Sequence, residues 1–260
     1  MNQFLSYEAL VRSFLQTAAE LILLQPGNRP AIMAADVDGD REAELTAAYR
    51  YQGELYLIMW KSEGSSWYRL FEMKGKGSGV SDLMAAPVAR TDLLSVIVGW
   101  QTDKGTSELD LLQWSPQGFY RLIPEGTAYS HLELEDMPGL HGRDGICELA
   151  LWRHDADQAF AVETYRWEPY RLVPSADVYP YYFRKVVPYY EALANESPDH
   201  PLYRSYLADA KEKAGIGEPP QMPESSGLTD SPSVQPADPP VQTPRPSARQ
   251  HKRRPNGRRP

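Results

Sequence analysis

The sequence has a single cysteine, Cys147, among 260 residues, so no intrachain disulfide can form and no oxidising compartment is required. It also lacks any run approaching the ~18 consecutive apolar residues of a membrane span. The order of a signal peptide is missing, because no Lys or Arg precedes the first apolar stretch, and Glu8, Arg12 and Glu20 interrupt it. Taken as it stands, the chain is expected to be cytoplasmic; a start codon misplaced downstream of an export signal would make it exported or cell-surface instead. Catalytic signatures are scarce. None of His131, His141, His154, His200 and His251 is paired with a glutamate at helical spacing in the manner of a zinc protease. No serine sits in Gly-x-Ser-x-Gly. The run Gly75-Lys76-Gly77-Ser78-Gly79 lacks the strand-then-helix context of a phosphate loop and reads as a flexible connection. Cys147, beside Glu148 at the head of an apolar strand, reads as a buried inert thiol, and His154-Asp155-Ala156-Asp157 as a polar hairpin turn.

What is present is unevenly charged. Residues 1–215 carry 31 acidic and 20 basic residues, whereas residues 216–260 carry 4 and 7. An acidic body suits cations or basic partners and speaks against nucleic-acid binding by the folded part. Residues 216–260 contain eleven prolines and no aromatic residue, a composition that cannot offset its ordering entropy, so a disordered tail is expected. Its end gathers Arg249, Lys252, Arg253, Arg254, Arg258 and Arg259. Six bases on a floppy segment give weak, salt-sensitive attraction to anionic surfaces.

Residues 4–24 read as one amphipathic helix, with Tyr7, Leu10, Val11, Phe14, Leu15, Ala18, Leu21 and Ile22 at spacings of three and four. With residues 1–25 as this helical segment, a β-rich body follows over 26–178. Three copies of one unit emerge there, at about 30–75, 76–125 and 126–178. Each carries a Tyr-Arg-Leu tag, at Tyr68-Arg69-Leu70, Tyr120-Arg121-Leu122 and Tyr170-Arg171-Leu172, with Trp60, Trp114 or Trp167 ahead of it. The tags read as an edge strand with Tyr and Leu inward and Arg outward. At an offset of 51, Met33-Ala34-Ala35-Asp36-Val37 meets Met84-Ala85-Ala86-Pro87-Val88, and Glu148-Leu149 matches Glu44-Leu45 in the third copy. A period of about 50 residues with three or four short strands suits stacked sheets or propeller blades.

One stretch concentrates acids. Asp36, Asp38, Asp40 and Glu44 stand at loop positions 1, 3, 5 and 9, with Glu42 at position 7. Alternating carboxylates on a tight loop can wrap a hard cation, with position 7 offering its backbone carbonyl, and Gly39 lets the loop bend. The competing reading is a solvated acidic turn that discourages edge pairing. The second unit has Pro87, Ala89, Thr91 and Ser95 at the same positions and cannot bind a metal in this way. The third keeps Asp136, Asp144 and Glu148 around an insertion containing Pro138-Gly139 and His141.

Asp36-Val37-Asp38-Gly39-Asp40 followed by the apolar Leu45 resembles the calcium loops of FG-GAP and VCBS repeats. Two positions depart from that pattern: Arg41 replaces the usual second glycine, and Glu44 replaces the closing aspartate. The resemblance covers about residues 30–174 and implies a mainly β fold with flanking helices. Its three propeller-blade-like antiparallel units would form an open or partial propeller under a helical cap. It further implies a calcium ion held by Asp36, Asp38, Asp40, Glu42 and Glu44.

Residues 179–215 hold seven of the sixteen tyrosines and read as two helices, about Phe183–Asn195 and His200–Ala214. Val187–Ala194 and Leu207–Gly215 around Ser197-Pro198-Asp199 resemble one tetratricopeptide helical pair. A single pair builds no peptide groove, so a cap is the expected role. The functional expectation is a noncatalytic binding or scaffold protein with an unidentified protein partner. The alternatives are a hydrolase on a propeller-like scaffold, or a tail that binds nucleic acid or an anionic surface.

Overall fold

Short turns with residues suited to them set the register of the β body. In the computed structural model, which describes residues 3–25, 27–102, 105–123 and 126–217, the chain opens with helix α1 (Gln3–Phe14). The helix is shorter than its apolar periodicity predicts. Ala18 adopts a left-handed φ of 70°, and the chain then enters strand pairing as β1 (Glu20–Leu21) and β2 (Leu23–Leu24). Leu21 and the partly buried Ile22, the last members of the presumed helical stripe, thus contribute to packing from an extended chain. β3 (Arg29–Pro30) pairs with β2, and β4 (Ile32–Ala35) follows.

The first large sheet contains β5 (Glu44–Tyr51), β6 (Glu54–Glu63) and β7 (Ser66–Lys74), with β4 and β1 sharing the outer edge of β5. Gln52 and Gly53, at φ 51° and 84°, form the tight β5–β6 turn, a left-handed pair that matches strand twist. The second sheet runs β8 (Gly79–Arg90), β9 (Leu93–Gln101), β10 (Ser107–Ser115), then β11 (Gly118–Arg121), with β12 (Thr127–Tyr129) also on β10. The third is β13 (His131–Glu135), β14 (Glu148–His154), β15 (Phe160–Glu168) and β16 (Arg171–Pro174). All their ladders are antiparallel, and none of the sheets closes into a barrel.

Alternation along the central strands gives each sheet two apolar faces. One face of the first sheet, with Leu45, Ala47, Tyr49, Ile58 and Trp60, packs on Val11 and Phe14 of α1. Its other face, through Ala48, Leu57 and Met59, meets Val96, Val98, Trp100 and Leu112 of the second. The reverse of the second sheet, with Ile97, Leu109 and Leu111, meets Leu132, Leu149 and Leu151 of the third. The last face, with Ala150, Val162 and Trp152, is covered by α2 (Tyr179–Glu196), against which α3 (Pro201–Lys213) folds back. The result is a row of three sheets with a helical layer at each end. The expectation of helices covering open sheet faces therefore holds.

Several finer expectations fail for reasons of register. Tyr68 and Tyr120 pair with Lys61 and Gln113 at equivalent places but point outward, with 43% and 46% of their surface exposed. Tyr170 belongs to no strand: after Pro169 it occupies the left-handed position of the β15–β16 turn, at φ 71°, and is 81% exposed. Val173, opposite Arg166, holds the place that Tyr68 and Tyr120 hold in the other sheets. The tag is thus displaced by three residues in the third unit. Trp60 likewise lies across from Leu45 on the face toward α1, two residues out of register with Trp114 and Trp167.

The Gly75–Gly79 connection is packed rather than loose. A side chain at Gly75 would meet the Trp100 ring at 2.4 Å, and one at Gly77 the Gln101 carbonyl oxygen at 1.9 Å. Cys147 is half-buried, and burial followed by the carboxylate of Asp136 pushes its thiol pKa up. The His154–Asp157 stretch does form the β14–β15 turn, closed by the Asp155 N–H on the Ala159 carbonyl at 2.9 Å. The basic tail cluster lies outside the described residues.

Candidate functional site

The acidic residues occupy the β4–β5 connection, at the point where the chain leaves the outer edge strand and returns along the centre of the first sheet. The turn is built from its own carboxylates. Asp36 accepts the N–H groups of Gly39 and Arg41, at 2.7 and 2.8 Å, one on each oxygen. Asp38 accepts from Asp40 N–H at 3.3 Å, and Asp40 from Glu42 N–H at 2.9 Å. Arg41 and Gly39 both take left-handed φ values, 76° and 84°. The position where the calcium-loop pattern carries glycine therefore keeps a glycine-like backbone although arginine fills it. Glu44, fully buried at the start of β5, reaches back and accepts the Val37 N–H at 2.9 Å, closing the loop at its base.

The sequence reading left out the group at the centre. Lys61 on β6 projects its ammonium among the acids, with Nζ 2.7 Å from Asp40 Oδ2, 3.2 Å from Glu44 Oε1, and in hydrogen-bond contact with Asp38 Oδ2. Burial draws the Lys61 pKa down, but the hydrogen bonds it donates to Asp38, Asp40 and Glu44 outweigh it and the net shift is upward. The hydrogen bond from Lys61 chiefly lowers the pKa of Asp40. Burial raises that of Glu44, against the Val37 N–H and Lys61, which lower it.

Three of the five expected ligands thus pair with Lys61. Asp36, Asp38 and Asp40 do offer oxygens within 4.8 Å of one another. Glu42 stands apart, its carboxylate 3.5 Å from the Ser62 hydroxyl. As a donor set for calcium the loop does not fit, because the unshared oxygens of Asp38, Asp40 and Glu44 already face an ammonium.

The other two units repeat the arrangement with different chemistry. In the third, Glu148 accepts the Met137 N–H at 3.0 Å, as Glu44 accepts Val37. Asp136 takes the N–H groups of Asp144 and Gly145, at 3.2 and 3.1 Å, and so closes the turn around the insertion. The base is Arg166 on β15, whose Nη2 lies 3.4 Å from Glu148 and 2.5 Å from Asp177. In the second unit, Ser95 donates to Gln113 Oε1 at 2.7 Å, and both are buried. Cross-strand pairs Leu45–Trp60, Val96–Leu112 and Leu149–Tyr165 show that the three contacts occupy one register position. The loops are neighbours in space: Cys147 N–H donates to the Pro87 carbonyl at 2.7 Å, and Gly39 lies against Leu93.

A second polar cluster sits near the start of β8. Register shifts between Val80 and Asp82, and the Ser81 hydroxyl and Tyr129 hydroxyl both donate to Asp82 Oδ2, at 2.7 and 2.6 Å. Ser107 donates to Ser81 at 2.8 Å. Gly99 makes room for this cluster, and the adjoining cleft of 500 Å³ is lined by Ser81, Gln101, Thr102, Ser107 and Ser130. Of the histidines, His154 contacts the Asp157 carbonyl at 2.9 Å, and His200 lies 3.2 Å from the Asp157 carboxylate and stacks on Tyr203. Among the described residues no helix is long and apolar enough to cross a membrane. The sequence matches no family model, and a search of curated proteins finds no significant match.

Proposed function

We propose that this chain is a noncatalytic repeat module of the FG-GAP and VCBS type, in which three blade-like sheets act as a scaffold that presents loops to a protein partner. The observation that supports it most strongly is the shared register of Glu44–Lys61, Ser95–Gln113 and Glu148–Arg166 at the loop end of every sheet. A repeated closure at one position steadies three loops side by side, and its acids and bases satisfy one another instead of facing a substrate. Helices from the same chain cover both outer sheet faces, so the row of loops is the surface offered for contact. Leu140, 83% exposed on the third loop, is its most prominent apolar side chain.

The test is affinity capture with the full chain, followed by crosslinking, compared with Leu140→Ser in the third loop and Asp92→Ser in the second, where Asp92 is exposed in the β8–β9 turn and pairs with Arg90. A partner held by the parent and lost by the loop variants supports the scaffold. Turnover of a glycan or ester substrate that follows this chain through purification would replace it with the hydrolase reading.

A further inference from the structure

We infer that Lys61 is the resident cation of the first loop, doing from within the chain what a divalent ion does in a calcium loop. The loop therefore closes without metal, and removal of the ammonium uncovers a latent divalent-cation site. An ammonium has three N–H donors, and this one meets three carboxylates: Asp38, Asp40 and Glu44. Each of those carboxylates spends its other oxygen on a backbone N–H, of Asp40, Glu42 and Val37 respectively. Both oxygens of Asp36 are spent in that way. The oxygens a metal would need are the ones turned toward Lys61.

The three units provide an internal comparison. Where the buried glutamate is kept, as Glu44 and Glu148, a base stands beside it on the next strand, as Lys61 and Arg166. Where it is replaced by Ser95, the base is replaced as well, by the neutral Gln113. Acid and base change together, as parts of one closure. A calcium ion prefers six to eight oxygen ligands and would have to expel a like-charged group held by three partners.

This inference rests on the loop being a structural closure, while the partner of the scaffold is tested separately by capture, so the two can fail independently. The experiment compares thermal melting of the full chain, with and without millimolar calcium, for the parent, Lys61→Met and Lys61→Arg. The expected result is a parent and a Lys61→Arg variant whose melting temperatures calcium leaves unchanged. Lys61→Met is expected to melt lower and to recover with calcium. A parent that gains as much from calcium as Lys61→Met overturns the inference, as does a Lys61→Met variant that gains nothing. Should Lys61→Met fail to fold, terbium luminescence on the parent decides the matter: emission sensitised by the neighbouring Trp60 overturns it, and silence upholds it.

Discussion

Glu44 and Glu148, on different sheets, make the same hydrogen bond, each accepting a backbone N–H from the loop it closes, Val37 at 2.9 Å and Met137 at 3.0 Å. The two loops differ in length and in most of their side chains. What they share is a buried carboxylate at the first residue of a central strand, with a base from the following strand beside it. That arrangement converts the costly burial of an acid into a clamp on the loop.

Glu44→Ala should therefore destabilise the fold far more than the loss of an exposed ion pair. The variant leaves the Val37 N–H without its acceptor and Lys61 with one partner fewer, in a site where Glu44 is fully buried. Breaking a buried pair costs about 3–5 kcal/mol. Glu8→Ala, which removes an exposed pair with Arg12 on α1, should cost about 0.3–0.5 kcal/mol. Urea denaturation of the two variants gives the comparison, and near-equal losses would refute the clamp.

The third-unit glutamate should leave a signature in pH. Burial raises the Glu148 pKa, and the Met137 N–H and Arg166 only partly offset it. The folded state then binds a proton at pH values where the unfolded chain does not, so stability from this group is present below its unfolded pKa and is lost as pH rises through the folded one. Relative to Glu148→Gln, the parent should gain stability as pH falls from neutrality toward the ordinary carboxylate range. Asp177 has the opposite sign: burial raises its pKa, but the hydrogen bond and the charge of Arg166, with smaller hydrogen bonds beside them, together outweigh it and the net shift is downward. Asp177→Asn should lose its difference from the parent on acidification.

Part of this was legible in the sequence. The match of Glu148-Leu149 to Glu44-Leu45 marked the true register, because a strand start with a buried acid is chemically distinctive. The cation was also within reach. Given the Gln52-Gly53 turn, counting back along the hairpin from Tyr51 and Glu54 places Lys61 beside Glu44. The Tyr-Arg-Leu tags misled because three residues recur readily on edge strands, and the Pro169 turn shifted the third copy by three residues and left Tyr170 outside the strand. The N-terminal helix misled for another reason: helix and strand can bury the same leucines, and Leu21 was claimed by pairing with Tyr49.

Gly99→Ala tests whether the Ser81, Asp82 and Tyr129 cluster is built into the core. The added carbon would lie 1.9 Å from the Tyr129 hydroxyl and 2.4 Å from the Ser81 hydroxyl, with Tyr129 itself buried. Overpacking of this kind costs about 1–3 kcal/mol. The double variant Gly99→Ala with Tyr129→Phe should recover part of the loss in chemical denaturation, because the nearest atom is gone. Strictly additive losses would show that the cluster is not what Gly99 accommodates.

The helical end layer should be required for a soluble fold. Tyr182, Phe183, Val186 and Tyr190 of α2 are buried against a sheet face that carries Ala150 and Val162. The indole N–H of Trp152 donates to the Tyr182 hydroxyl at 2.7 Å, and the Phe160 N–H donates to the Tyr190 hydroxyl at 3.0 Å. A chain ended at Pro174 exposes that face, and a stacked-sheet body with an uncovered apolar end associates with other copies. It should bind a hydrophobic dye and sediment as aggregates, whereas the intact chain should not. Val186→Asp asks the same question with one side chain, since an unpaired carboxylate at a fully buried site costs several kcal/mol unless the helix lifts away. If it lifts, hydrogen exchange should rise throughout α2 and α3 while the amides of β5 and β6 stay protected. Uniform loss of protection would instead mean that the three sheets and their end layer unfold as a single unit.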